Sequence, residues 1–135
     1  MESLSSRIQA ATDTLLVQAK HESISAFFAS DYSVHLTDQV VTGGHQIVRR
    51  FLELYRSAFS DLKAEVEVLI EGPERIAWQR TLRATHHGAF KGFPASGRSI
   101  VWRDVVTSRI RDGLITEEWV ISDLAEQLLL SRKKK

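Results

Sequence analysis

Five histidines are the residues of this chain that most readily invite a chemical role: His21, His35, His45, His86 and His87. Their spacing argues against a metal centre. No two stand four apart on a helix, and strand neighbours such as His86 and His87 point to opposite faces, so they cannot easily grip one ion. The chain has no cysteine, which removes thiolate–zinc sites, iron–sulfur clusters, thiol catalysis and disulfides together. It also carries no Walker or Rossmann glycine pattern and no Gly-x-Ser-x-Gly elbow. Chemistry is left to ordinary side chains acting as acids and bases, with no metal and no cofactor expected.

Strand alternation suggests where such side chains gather. Along a last strand it places Ile115, Glu117, Trp119, Ile121 and Asp123 on one face, so Asp123 shares a side with large apolar residues. Partial desolvation there would raise its pKa and make it a proton acceptor and donor near neutral pH. The same residue opens Asp123-Leu-Ala-Glu126, the spacing of a helix N-cap with Glu at the third position, and spacing alone leaves base and cap both open. One strand earlier, Ile76, Trp78, Arg80, Leu82, Ala84 and His86 fall on one face. Arg80 and His86 interrupt that apolar stripe, which implies a buried ion pair or a cavity holding water or ligand. For Arg80 a carboxylate partner is the simpler reading; His86 divides between a satisfied core histidine and a site residue, and His35 on an early strand is a weaker candidate. Trp102 and Asp104 share a face of the next strand, and Tyr55 and Phe59 stand one turn apart on a helix. These aromatics are core, or pocket lining if the sheet curls around a space.

The elements that must hold these groups follow from periodicity. Apolar positions between Ser5 and Val17 predict an amphipathic helix, and a second short one spans about Glu22 to Ala29 before a strand at Tyr32–Leu36. His45 to Phe59, with Ile47, Val48, Phe51, Leu52, Tyr55 and Phe59 at helical intervals, is the clearest helix. Alternation then predicts strands at Leu62–Glu71, Arg75–Phe90, Arg98–Arg111 and Leu114–Leu124, the last two joined by Asp112-Gly113, a hairpin signal. Helices followed by a run of antiparallel strands is an α+β pattern, with helices packed on one face of a curved sheet. The whole is one domain over residues 1–130, with residues 131–135 as a basic, solvated, frayed end.

Composition narrows the partners. Of 135 residues 43% are hydrophobic, enough for a packed core, and 18 Lys and Arg against 17 Asp and Glu give a formal charge of +1. That balance is far from what phosphate neutralisation demands, so no nucleic-acid partner is expected. Met1 to Lys20 mixes polar residues into its apolar ones, unlike a secretory leader, and no run approaches the roughly 20 apolar residues of a membrane span. A cytoplasmic protein with no membrane partner is expected.

Taken in order, Arg80-Thr-Leu-Arg-Ala-Thr-His86-His-Gly88-Ala-Phe90-Lys-Gly92-Phe-Pro94-Ala-Ser-Gly97-Arg98, then Asp112-Gly113-Leu-Ile115 and Glu118-Trp119-x-x-x-Asp123, resemble the SnoaL-like polyketide cyclase family. Upstream, Gly44-His-Gln-Ile-Val-Arg-Arg-Phe51 and Tyr55-x-x-x-Phe59-x-Asp61-Leu62 resemble its long helix, so the match covers about residues 8–128. The resemblance implies a cone-shaped α+β fold of the nuclear transport factor 2-like superfamily around an apolar pocket. It also implies cofactor-free aldol-type ring closure or isomerisation of an apolar carbonyl compound, with Asp123 as acid/base and His86 as an orienting or oxyanion-polarising partner. Arg80, Asp104, His35, Trp102, Trp119, Tyr55 and Phe59 follow as secondary or pocket positions. A homodimer, or a tetramer of such dimers, is implied by the same analogy. Ala84 in place of glycine, Ala95-Ser96 in place of Pro-Thr and Gln127 before Leu-Leu depart from the family pattern and leave the substrate open. Two alternatives share the scaffold: an epoxide hydrolase using Arg80, Asp104 and Asp123, and a non-catalytic small-molecule-binding domain.

Overall fold

The computed structural model describes residues 3–133. Helix α1 (Leu4–Ala11) starts where Ser3 Oγ accepts the Ser6 N–H at 3.1 Å, and it buries Ile8 and Ala11. The helix expected to run unbroken to Val17 instead widens to a π-helix over Thr12–Val17. A 3₁₀ turn (His21–Ser23) and the four-residue α2 (Ile24–Phe27) lead directly into β1 (Phe28–His35). The strand begins earlier than periodicity suggests because Phe28 pairs with Ile115 across the sheet, and that pairing overrides a local pattern compatible with helix.

A short β2 (Val40–Thr42), unforeseen despite its β-branched run, folds back on β1, and then α3 (His45–Ala58) buries Ile47, Val48, Leu52 and Ala58. Gly44 is fixed at the start of α3. Its φ is +66°, its N–H donates to Tyr32 O at 3.0 Å, and a Cβ there would lie 2.1 Å from Ser30 O. No other residue fits without moving β1.

Long strands follow: β3 (Phe59–Glu71), β4 (Arg75–His86), β5 (Ser99–Arg111) and β6 (Leu114–Ser122), the last two turning at Asp112-Gly113 with φ of 52° and 78°. Helix α4 (Leu124–Lys133) then returns over β5 with Leu124 and Leu128 buried. The end expected to fray from residue 131 is thus helical through Lys133, and Lys134 and Lys135 lie outside the described residues.

The α+β class expected from sequence is the class observed, with strand order β2-β1-β6-β5-β4-β3 in one curved sheet. The sheet is mixed rather than wholly antiparallel, because β1 runs parallel to β6. The core divides into two clusters on the concave face. One gathers Ile8, Leu15, Tyr32, Val48, Leu52 and Trp78, and the other Phe59, Leu82, Phe90, Trp102 and Leu128. No helix among the described residues is long and apolar enough to cross a membrane.

Candidate active site

The first cluster is hollow. A cavity of about 110 Å³ opens between the α1/π-helix segment, α3 and the concave face, walled by Ile8, Leu15, Val48, Phe51, Leu52 and Val120 among others. Into this apolar space come the polar side chains of Tyr32 from β1, Arg80 from β4 and Glu118 from β6, with Thr12 and Tyr55 at the wall. A mostly apolar cavity with a few convergent polar groups is what a small-molecule site looks like.

Glu118 reaches the cavity because β6 bulges. Ile110 faces Ile115, yet the next residue of β5, Arg109, faces Glu117, so Thr116 is an extra residue. One inserted residue flips every later side chain to the opposite face. Glu118 and Val120 therefore line the cavity, whereas Glu117 and Trp119 turn outward and Ile121 is 69% exposed. Strict alternation puts Glu117, Trp119, Ile121 and Asp123 together on an inner face, and the bulge corrects that placement.

Glu118 is only 8% exposed and is held from both sides. Tyr32 Oη donates to Oε1 at 2.7 Å and Ser108 Oγ donates to Oε2 at 2.5 Å. Ser108 in turn accepts the Trp78 indole N–H at 3.0 Å; since indole can only donate, the direction of this chain is fixed toward the carboxylate. Burial raises the Glu118 pKa, while the Ser108 and Tyr32 hydrogen bonds and the Arg80 charge pull it back; burial wins. Tyr32 is likewise raised by burial and by the Glu118 charge, so it stays a neutral donor.

Arg80 is paired as the simpler reading expected: Nε lies 2.7 Å from Oδ2 of Asp104, which is fully buried. Burial alone would lower the Arg80 pKa, but the adjacent Asp104 charge outweighs it and keeps the guanidinium protonated. Tyr55, raised to about 12 by burial and by Asp104, remains a phenol at the cavity edge.

The other sequence candidates lie elsewhere. His86, Trp102 and Phe59 pack with Phe90 in the second cluster, the Phe59 ring standing 4.8 Å from Trp102 and 5.4 Å from His86. His86 Nδ1 meets Ser96 Oγ at 3.1 Å, and burial pushes its pKa below the ordinary value. His35 and Trp119 stack at 4.7 Å beyond the bulge, with His35 Nε2 2.6 Å from Glu117 Oε2. Asp123 occupies the N-cap position of α4. Its Oδ1 accepts the Arg103 N–H at 2.7 Å and its Oδ2 the Gln127 amide at 3.2 Å. It is not among the residues that wall the cavity. The structure therefore brings together Arg80, Asp104 and Tyr55 of the sequence candidates, and adds Glu118, Tyr32, Ser108 and Trp78. The missed Glu118 sits in the Glu118-Trp119-x-x-x-Asp123 string, but nothing in that string announces the bulge at Thr116. Among the described residues no group of three or more His, Asp or Glu stands where it could hold a metal ion.

The profile of SnoaL-like polyketide cyclases matches residues 6–129. A search of the curated proteins by sequence finds no match. Among solved structures, a candidate polyketide cyclase from Acidithiobacillus ferrooxidans superposes with a TM-score of 0.83 at 18% identity, covering 96% of this chain and 94% of its own. IdmH, a candidate polyketide cyclase from Streptomyces antibioticus, gives 0.80 at 24% identity, with 96% and 97% covered. AclR, a candidate hydroxylase from Streptomyces galilaeus, gives 0.75 at 26% identity, with 97% and 83% covered.

Proposed function

Because this chain belongs to the SnoaL-like polyketide cyclase family, we propose that it catalyses cofactor-free, aldol-type cyclisation or isomerisation of an apolar carbonyl compound held in the hollow cluster, with Glu118 as acid/base. The observation that carries this reading is the Glu118 carboxyl, buried in an apolar wall with its pKa raised. Such a group takes a proton near neutral pH more readily than an exposed carboxylate does.

In the proposed sequence, a proton alpha to a substrate carbonyl passes to Glu118, and the electron pair moves onto the carbonyl oxygen. Arg80, fixed by Asp104, supplies a lasting positive charge near that developing enolate, while Tyr32 keeps its one O–H on Glu118 and holds the carboxyl in place. The enolate carbon then attacks a second carbonyl carbon, a carbon–carbon bond forms, and the new alkoxide takes the proton back from Glu118. Simple isomerisation returns the proton to a different carbon instead. In both courses the enzyme ends as it began, which is why no cofactor is needed.

The Arg80–Asp104 pair also favours a second reading, hydrolytic opening of an epoxide, in which the pair would steady an activated water. Solvent oxygen-18 would enter the product of hydrolysis and not that of cyclisation.

The test of the acid/base assignment is solvent deuterium exchange at the alpha carbon of a bound aryl ketone such as 2-butyronaphthone, followed by proton NMR. Wild-type protein is expected to accelerate exchange, and Glu118→Gln to slow it by about 10²–10⁴-fold. Loss of exchange in Asp123→Asn with full exchange in Glu118→Gln would move the base to Asp123 and overturn the assignment.

A further inference from the structure

A second cavity, of about 130 Å³, adjoins the first, and its chemistry is different. Leu15, Leu16, Leu52 and Tyr55 line both, so the two spaces meet at a wall made of these side chains. Beyond that wall, the second cavity adds His21 from the 3₁₀ turn, Arg56 from α3 and Asp61 from β3. His21 is half-buried, while Arg56 and Asp61 are exposed and form the rim of a space whose other walls are mostly apolar side chains. No ion pair between Arg56 and Asp61 occurs within 4.0 Å among the described residues, so their hydrogen-bonding capacity is not spent on each other.

The charges decide what fits. Arg56 donates only, Asp61 accepts only, and His21 can do either. The guanidinium and the carboxylate cancel, so the space has no net attraction for an ion, whereas a neutral group that both donates and accepts can satisfy both rims. We infer that the second cavity is a subsite for the neutral, oxygen-bearing end of a two-part substrate, a hydroxyl above all, whose apolar carbonyl part occupies the first cavity. This rests on the reading of the first cavity as the reacting chamber. Tyr55, whose ring forms part of the shared wall, is the side chain past which such a substrate lies. The π-helical turn at Leu15 and Leu16 forms the wall's other side.

Calorimetric titration of three ketones tests it: 2-butyronaphthone, the same ketone with a terminal hydroxyl, and the same ketone with a terminal carboxylate. The hydroxyl probe is expected to bind about 2- to 10-fold tighter than the alkyl one, the return on one net hydrogen bond, and the carboxylate no tighter than the alkyl. Arg56→Leu should erase the hydroxyl preference. Asp61→Asn, which tolerates the φ of 56° at this position, should leave a net positive rim and tighten the carboxylate probe relative to wild type. Glu118→Gln should leave the hydroxyl preference unchanged. Equal binding of hydroxyl and alkyl probes, or a preference that survives Arg56→Leu, overturns the subsite while leaving the acid/base reading intact. Carboxylate binding tightest in wild type overturns its neutral character. Failure of the alkyl ketone to bind at all overturns the first-cavity reading and the subsite with it.

Discussion

The concave face of the sheet is two unlike halves built from the same strands. Under α1 and the π-helix, β4 and β6 present Trp78 and Glu118 to a cavity, and Ser108 of β5 behind them links the two in a directed hydrogen-bond chain completed by Tyr32. Further along β4 and β5, His86 and Trp102 are buried against Phe59 and its neighbour Phe90, and His86 Nε2 and Trp102 Nε1 have no hydrogen-bond partner. The Trp78–Ser108–Glu118–Tyr32 chain at the hollow half is thus paired throughout, whereas the orphans are the two ring nitrogens of the filled half and Asp104 Oδ1, on the far side of the carboxylate from Arg80. Packing aromatic rings to high density can outweigh an unmade hydrogen bond costing about 1–3 kcal/mol. A space kept open for a ligand has no such packing to draw on and needs its polar groups satisfied.

The most direct test of this contrast removes chemistry from each half in turn. Glu118→Gln keeps the shape of the hollow half and should slow ketone exchange by about 10²–10⁴-fold, while His86→Gln in the filled half leaves it within about twofold, measured on the same probe by NMR. Equal losses from both would mean the two halves act as one site. Removing volume instead of charge reverses the ranking. Trp102→Ala should cost about 3–5 kcal/mol in urea-induced unfolding, and Val120→Ala, beside a space that already exists, about 1 kcal/mol. Similar costs would show that the cavity is collapsed in solution.

The two titratable groups should also respond to pH with opposite signs. Glu118, with its folded pKa raised, binds more protons folded than unfolded, so it contributes stability below its unfolded pKa that is lost as pH rises through the folded value. His86, with its folded pKa lowered, does the reverse: stability falls as pH drops below about 6.5 toward the folded value. Unfolding midpoints followed across the acid-to-neutral range should lose the falling limb in Glu118→Gln and the rising one in His86→Gln. A matching slope in both variants would contradict the burial of one of them.

How far this arrangement is legible in the sequence depends on how local its causes are. The long helix at His45 and the β4 stripe from Ile76 to His86 follow from periodicity within one element, and they stand as the pattern predicts. So does Arg80 with a carboxylate partner, since an arginine among apolar neighbours has few other ways to be buried. What periodicity misses is set between elements. β1 leaves the helical pattern at Phe28 because Ile115 is there to pair with it. Glu118 faces inward only because β6 carries one residue more than β5 across from it, and a bulge at Thr116 leaves no mark in composition. Tyr32 is named as a strand residue by its neighbours, yet its role appears only once Glu118 stands opposite.

Asp123 is where the two halves can be told apart with the smallest effect. As the base of a cyclase it would lose activity as Asn, because an amide cannot accept a proton from carbon. As the brace it forms here, Asn keeps a carbonyl oxygen for the Arg103 N–H, now held at 2.7 Å, loses the negative charge at the start of α4, and turns an amide donor toward Gln127, whose own amide can flip to accept it. That charge contributes about 0.3–1 kcal/mol at a helix N-terminus. Asp123→Asn should therefore lower the unfolding free energy by that amount and leave ketone exchange unchanged, whereas Asp123→Ala, which removes both the cap and the acceptor for the exposed Arg103 N–H, should cost about 0.5–2 kcal/mol. An Asn variant that is fully stable and inactive would return catalysis to the end of β6 and make the Glu118 network a scaffold. A variant slightly destabilised and fully active keeps the chemistry in the hollow half, where the bulge turned the carboxylate inward.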